Sequence, residues 1–167
     1  MEKTAIICEY NPMHFGHIYQ IEKINKEYII GFMSGSFVQR GEPAIIDKFT
    51  RARLAIENGC DLILEMPQVI SLQSSKEFSY GSISILNKID IDNLSFGIEG
   101  DIDTLNKIAN LENVEEDLFN EKIQSYINEG LSYKKSFINA LKYFGFNEND
   151  ICAYNTLAIQ YIKDINK

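Results

Sequence analysis

Four short strand-like segments, separated by stretches of helical periodicity, constrain the fold of this chain more than any other feature. They lie at residues 4–8, 28–33, 61–65 and 93–97, and most of their side chains are apolar. Short apolar strands that alternate with helices are typical of a parallel sheet that helices cover on both faces, with right-handed crossovers. The sequence therefore predicts an α/β fold built on a Rossmann-like, doubly wound parallel sheet.

The helical stretches between these strands carry recognisable start and stop signals. Apolar residues recur at helical spacing in residues 16–26 and 74–88. Asp47 is a candidate N-cap, and the helix that follows it is expected to stop at Gly59. Residues 34–43 are rich in turn-forming and polar residues and are therefore expected to form a loop.

The character of the sequence changes at about residue 101, after which no strong strand pattern remains. Helical patterns open at residue 103 and cover residues 118–127, 133–144 and 151–165. We therefore expect two regions, a Rossmann-like nucleotide-binding core over residues 1–100 and a helical extension packed on it over residues 101–167.

Composition excludes several classes of protein. The net charge is −8, with seven basic and seven acidic side chains in residues 1–60 but nine basic and seventeen acidic ones in residues 61–167. Because nonspecific affinity for nucleic acid comes mostly from neutralising phosphates, so acidic a chain is a poor general binder of RNA or DNA. No apolar run approaches the length needed to span a bilayer, so no membrane partner is expected.

The three cysteines, Cys8, Cys60 and Cys152, are far apart in the sequence. Disulfide frameworks and zinc sites need close, paired cysteines. The N-terminus also lacks the pattern of a secretory signal. We therefore expect reduced thiols in a cytoplasmic protein.

The only two histidines of the chain, His14 and His17, follow the first strand and open the first helix. Ligands of doubly wound sheets bind beyond the carboxyl ends of the strands, where a helix N-terminus attracts phosphate. Two imidazoles on one helix face can donate hydrogen bonds to phosphate oxygens, and Gly16 between them lets a nucleotide approach the backbone. Ordinary surface histidines and a metal pair are the alternatives, although no close carboxylate or cysteine completes a metal site.

Further candidates follow the later strands. Arg40, beside Gly41 in the loop after the second strand, can bind phosphate or carboxylate with both arms of its guanidinium. Lys48 and Arg51 lie one turn apart at the start of the next helix, where a bound anion or simple solvation would account for them. Gly97 lies at the end of the fourth strand and is either a nucleotide contact or part of a plain strand-ending turn.

Together these segments resemble the HIGH-type nucleotidyltransferase superfamily, in which an H-x-G-H signature binds the triphosphate of ATP. More closely, the chain resembles the bacterial tRNA(Met) cytidine acetate ligase family. The similarity lies in residues 7–17, 33–48, 58–67 and 96–99, and more weakly in residues 155–162.

This resemblance implies an ATP-dependent ligase that activates acetate as acetyl-adenylate and then acetylates the wobble cytidine of elongator tRNA(Met). His14 and His17 would hold the phosphates, Arg40 or Lys48 would neutralise acetate or pyrophosphate, and Mg²⁺ is expected with ATP. The nucleotide-binding positions implied by the resemblance are Ile7, Cys8, Glu9, Tyr10, Asn11, Pro12, Met13, His14, Phe15, Gly16, His17, Gln20, Gly97 and Asn155.

The chain also departs from this family pattern. Ala158 and Gln160 stand where the family carries glycine and glutamate. Residues 1–167 contain neither the later Ser/Thr-rich, arginine-ending phosphate motif nor the C-terminal tRNA-binding region of the family. We therefore expect either an excised catalytic domain or a naturally shortened relative. A nucleotide-binding module without turnover and an adenylyltransferase for another small acceptor are the alternatives.

Overall fold

The computed structural model describes residues 2–25, 28–147 and 156–166, with the backbone alone at 112 and 113. The chain divides into two compact units, residues 1–97 and 98–167. The elements of the first unit are β1 (Lys3–Cys8), α1 (Phe15–Lys23), β2 (Tyr28–Ser34), α2 (Lys48–Glu57), β3 (Leu62–Met66), α3 (Gln68–Ser71), α4 (Ser75–Lys88) and β4 (Asn93–Ser95).

The first unit is built on a four-stranded parallel sheet in the order β3-β2-β1-β4. The chain adds strands on one side of β1 as far as β3, and then crosses to the other side of β1 to form β4. This order places the topological switch point between β1 and β4, where ligands of such sheets bind. The predicted α/β fold with a doubly wound parallel sheet is confirmed.

Two aspartates fix the start of the two edge strands, β3 and β4, against their neighbours in the sheet. The carboxylate of Asp61 accepts a hydrogen bond of 2.7 Å from the backbone N–H of Ile29, and its own N–H donates to the Ile29 carbonyl at 2.8 Å. Asp92 contacts Lys3 in the same way, at 2.8 Å and 3.0 Å. Each aspartate therefore sets the register of its strand at the end opposite the ligand-binding edge.

Part of the core lies between β1, β2 and the helices α1 and α2. Burying an apolar side chain there contributes roughly 1.5–3 kcal/mol. The buried members of this cluster are Ile6, Tyr10, Ile21, Ile29, Met33, Ala55 and Cys60.

The helices and strands follow the predicted pattern, with differences at two ends and one additional short helix. Helix α1 ends at Lys23, because Ile24 is extended and its N–H returns to the Ile21 carbonyl. Strand β4 stops at Ser95, so Gly97 lies beyond the sheet rather than within a strand. The short helix α3 after Pro67 was not predicted. Asp47 is the N-cap of α2, as expected, and accepts hydrogen bonds from two backbone N–H groups at 3.0 Å.

The second unit is helical throughout its described part, as the sequence predicts. It comprises α5 (Ile102–Val114), α6 (Glu116–Asn128), α7 (Tyr133–Tyr143) and α8 (Thr156–Ile165). Helix α5 contacts α6 and α8, and α6 contacts α7. That these helices pack on the sheet domain stays a prediction. None of the described helices has the length and apolar character needed to cross a membrane.

Candidate active site

The two histidines form the N-terminal cap of α1. His14 is the N-cap residue, and its Nδ1 accepts the backbone N–H of Gly16 at 3.1 Å. The Nδ1 of His17 accepts the N–H of His14 at 3.3 Å, which completes a reciprocal capping box. The two rings stack with their centroids 3.7 Å apart and their planes 21° apart.

This capping arrangement assigns the protons of both rings. Because each Nδ1 accepts a hydrogen bond, the neutral form of each imidazole carries its proton on Nε2. Burial, and then the charge of His14, lower the pKa of His17, which favours its neutral form. The site therefore presents two Nε2–H donors at the positive end of a helix dipole, with no acidic residue in the first turn of the helix.

A side chain at position 16 would crowd the cap. A Cβ at this position would lie 3.0 Å from Cε1 and 3.1 Å from Nδ1 of the His14 ring, closer than ordinary packing allows. The sequence suggested that this glycine admits a nucleotide. The geometry adds that it admits the imidazole of His14.

Tyr10 is buried in the core and packs against His17. It adopts a left-handed backbone conformation with φ of 48° and is only 1% exposed. Its ring contacts His17 edge to face at a centroid distance of 5.0 Å. Its hydroxyl lies against the thiols of Cys8 and Cys60 without a well-formed hydrogen bond, and burial raises the pKa of all three groups. Backbone strain of this kind is typical of functional sites.

The loop before α1 is bound to the loop after β2. Glu9 accepts the N–H of Gln39 through Oε1 at 2.9 Å, and Asn11 accepts the N–H of Ile45 through Oδ1 at 2.7 Å. The resemblance implies nucleotide contacts at Glu9 and Asn11. In this structure their side chains hold the second loop against the first, and the nucleotide contacts stay a prediction.

The two cations proposed for the site differ in their surroundings. Arg40 is exposed in a tight turn closed by a 2.9 Å hydrogen bond from the Gly41 N–H to the Val38 carbonyl. Lys48 instead contacts both carboxylate oxygens of Glu65 at 2.7 Å. Lys48 therefore already has a counter-charge, and no pattern in the sequence predicted this ion pair.

The expectation for Arg51 was wrong. The sequence suggested a solvated base or a cation for a bound anion, but the side chain is 0% exposed. Its guanidinium donates to the backbone carbonyls of Glu9, Ser34, Gly35 and Ile46. The spacing of Lys48 and Arg51 placed both at the start of a helix, but it could not show that α2 turns Arg51 inward.

A pocket of about 330 Å³ opens between α1 and the end of β4, and Gly16 of the cap forms part of its lining. Gln20 closes one wall by donating to the carbonyl and hydroxyl oxygens of Ser95 at 3.1 Å and 3.2 Å. A Cβ on Gly97 would meet nothing within 4 Å, so protein packing does not demand a glycine there. The pocket is lined by Gly16, Tyr19, Gln20, Lys23, Ile24, Ser95, Phe96 and Gly97.

The remaining implied contacts fall into three groups. Ile7 and Cys8 are the last residues of β1 and pair with Phe32 and Met33 of β2. Met13 packs against the core, Pro12 is exposed, and Phe15 at the start of α1 is 89% exposed. Asn155 lies outside the described residues.

Sequence reasoning missed Tyr19, Lys23 and Ser95 in the pocket wall and Glu65 beside Lys48. Tyr19 and Lys23 are reachable from the sequence, since they share the helical face of Gly16 and Gln20. Ser95 and Glu65 depend on which strands are neighbours, and that order emerges only from the folded sheet.

Curated relatives resemble this chain over nearly its whole length. Two of the most similar relatives are named tRNA(Met) cytidine acetate ligase. The one from Caldicellulosiruptor bescii is 43% identical over 98% of this chain and 42% of the relative, and the one from Clostridium novyi is 45% identical over 100% and 44%. The chain thus spans less than half the length of the curated relatives it matches.

Solved structures show the same fold. The crystal structure of Thermotoga maritima TmcAL, without ligand, has a TM-score of 0.88 and 33% identity and covers 99% of this chain and 43% of that one. The same protein bound with alpha-thio ATP gives a TM-score of 0.87 over 99% and 44%. The family described as HIGH Nucleotidyl Transferase matches residues 1–167. This chain therefore belongs to the HIGH nucleotidyl transferase family, and the resemblance to tRNA(Met) cytidine acetate ligases drawn from its sequence is confirmed.

Proposed function

We propose that this chain binds ATP at the switch point of its sheet and activates acetate there. The observation that carries the proposal is the pair of Nε2–H donors, on His14 and His17, at a helix N-terminus that adjoins the pocket. Both features are oriented for a polyanion attached to a larger planar group, which is the shape of a nucleoside triphosphate.

The proposed pose divides the nucleotide between these two features. The triphosphate lies on the His14–His17 cap, and the adenosine enters the pocket lined by Gln20 and Gly97. The open space at Gly97 allows a ligand to lie against the backbone. The T. maritima protein bound with alpha-thio ATP supports a nucleotide in a fold of this kind.

The reaction follows the names of the relatives. A carboxylate oxygen of acetate attacks the α-phosphorus of ATP, and the bond to the bridging oxygen of pyrophosphate breaks, so that acetyl-adenylate and pyrophosphate form. The exocyclic amine of the wobble cytidine of tRNA(Met) then attacks the acetyl carbon and releases AMP. His14 and His17 contribute by donating hydrogen bonds to oxygens on which negative charge develops.

The cations around the site have unequal roles in this proposal. Arg40 is exposed and is the better candidate for an arriving carboxylate or a departing pyrophosphate. Lys48 shares its charge with Glu65 and would have to exchange that partner for an anion. Within the described ranges no group of three or more His, Cys, Asp or Glu side chains is placed to hold a metal ion. Mg²⁺ would therefore arrive with the phosphates.

The acceptor tRNA belongs to the same proposal. The relatives are named for tRNA(Met), yet this chain spans less than half their length and is strongly acidic in residues 61–167. The acidic charge of residues 61–167 matches RNA phosphates poorly and favours a second candidate function, a module that binds the nucleotide without completing transfer. A cytoplasmic location, where ATP and tRNA are both available, is part of the first proposal.

Acetate-dependent exchange of labelled pyrophosphate into ATP tests the first proposal. The chain is expected to catalyse exchange only with acetate present, and His17→Ala should lower the rate by about a hundredfold, the usual loss for one charge-stabilising donor. Exchange with propionate serves as a specificity control. ATP binding without exchange would select the second candidate, and exchange that proceeds without acetate would indicate another acceptor.

A further inference from the structure

We propose that Arg51 is a positioning residue that holds the histidine cap in its anion-binding arrangement by fixing two loops to each other. The proposal rests on the proposed nucleotide site, because it concerns the same two loops. Arg51 itself touches no bound group in this account. It acts through the backbone that carries Glu9 and, five residues later, His14.

The guanidinium donates hydrogen bonds to three separate backbone segments. Its Nη1 donates to the carbonyl of Glu9 at 2.5 Å and to that of Ser34 at 3.1 Å. Its Nη2 donates to the carbonyl of Gly35, and its Nε donates to the carbonyl of Ile46 at 3.0 Å. One side chain therefore connects the end of β1, the end of β2 and the residue that precedes the N-cap of α2.

Burial of this charge is costly. A buried cation without a carboxylate partner is destabilising by several kcal/mol relative to its hydrated form. In the part of the chain that the structure describes, no carboxylate forms an ion pair with Arg51. Four backbone carbonyls accept hydrogen bonds from the guanidinium in place of a carboxylate. The planar fork of N–H donors reaches all four of them, and these bonds offset the cost of burying the charge.

The segments that Arg51 joins are those that carry the site. Beyond the Glu9 carbonyl the chain runs through Tyr10, which contacts His17, to His14. Beyond Gly35 it runs into the loop with Arg40, which Glu9 and Asn11 also hold. Loss of the fork should therefore displace the first loop relative to the second and disturb the stacking of the two histidines.

Lysine is the informative replacement. Arg51→Lys retains the charge and can donate to up to three carbonyls, but one ammonium cannot satisfy all three segments at the positions of the guanidinium. The matched control is Arg53→Lys, because Arg53 lies on the same helix, is exposed and has only a weak 4.0 Å contact with Glu57.

The readout is direct, because the chain has only two histidines. Nitrogen-detected NMR of the imidazoles reports the tautomer and environment of His14 and His17 without any ligand, and calorimetry with a non-hydrolysable ATP analogue reports affinity. We expect folded Arg51→Lys to show altered ring signals and at least about tenfold weaker binding, the scale of one lost charge-assisted hydrogen bond, while Arg53→Lys matches the wild type. Ring signals and affinity unchanged in folded Arg51→Lys would overturn the proposal.

Two further outcomes are informative. If the wild type does not bind the analogue, the proposed function fails, yet the ligand-free ring signals still decide the role of Arg51. If Arg51→Lys does not fold, the wild type is used, since it has only three arginines. The Nε–H signal of Arg51 should then exchange more slowly than that of Arg53 and shift together with both rings when the analogue is added. Exchange as fast as that of Arg53, or no shift while the rings respond, would overturn the proposal.

Discussion

Tyr10 holds an unfavourable backbone conformation, and its contacts explain why that conformation persists. A left-handed tyrosine is uncommon, and the surroundings must hold it in place. Here the ring fills the core between β1 and the first two helices, and its edge contacts His17. The ring, rather than the hydroxyl, is therefore the group that stabilises the site.

Two substitutions separate ring from hydroxyl. Tyr10→Phe should change the free energy of unfolding by less than about 1 kcal/mol, because the buried hydroxyl has no well-formed hydrogen bond to lose. Tyr10→Ala should cost roughly 3–5 kcal/mol, as expected for deleting a buried aromatic ring. Urea denaturation followed by circular dichroism measures both. Equal losses in the two variants would show that the hydroxyl, and not the ring, carries the stability.

At the residue scale, the sequence predicted which residues surround the site better than what each side chain contacts there. His14, Gly16 and His17 were found from their spacing after a strand, because a helix N-terminus at that position has one obvious use. The buried position of Arg51 and the loop contacts of Glu9 and Asn11 were not predicted, since most of their partners are backbone groups 16 to 42 positions away. No local pattern in the sequence encodes such contacts.

Helices and strands form the next scale, and their order could be read from hydrophobic periodicity. All four strands and the helical tail were predicted, because burial on both faces leaves a strong apolar pattern. The ends of elements were less predictable. Strand β4 shortens to Asn93–Ser95, and the open Gly97 that follows forms part of the pocket wall.

Strand register offers a test at this scale. Asp61 precedes β3 and accepts a 2.7 Å hydrogen bond from the N–H of Ile29 in β2. Asp61→Ala removes this bond and should destabilise the protein by roughly 1.5–3 kcal/mol, the range for hydrogen bonds to a charged group. Asp61→Asn should recover part of the loss, because an amide oxygen still accepts. Thermal unfolding measures the effect.

Glu121→Ala is the control, since it removes an exposed carboxylate of α6 and should change stability by less than about 0.5 kcal/mol. An Asp61→Ala protein as stable as this control would mean that the contact does not fix the strand.

At the scale of the whole molecule, the sheet order β3-β2-β1-β4 explains why the candidate site lies where it does. The reversal of direction at β1 leaves a crevice beyond the strand ends, and the first helix points its N-terminus there. The sequence alone predicted the parallel sheet and the edge that carries the loops. It could not predict the pocket, because the pocket depends on β4 lying beside β1.

The central claim is that the two Nε2–H donors of the cap bind the triphosphate. The most direct measurement is calorimetric titration of a non-hydrolysable ATP analogue into the wild type and into the double variant His14→Ser, His17→Ala, which removes both Nε2–H donors. Serine is a good N-cap and alanine is a good helix former, so the helix should survive. Tyr80→Ala, on an exposed residue of α4 outside the pocket lining, is the control.

We predict that the wild type and Tyr80→Ala bind the analogue alike, and that the double variant unfolds at the same temperature but binds at least about tenfold more weakly, since two hydrogen bonds to charged phosphate are lost. A double variant that binds as tightly as the wild type would contradict the assignment of the triphosphate to this cap.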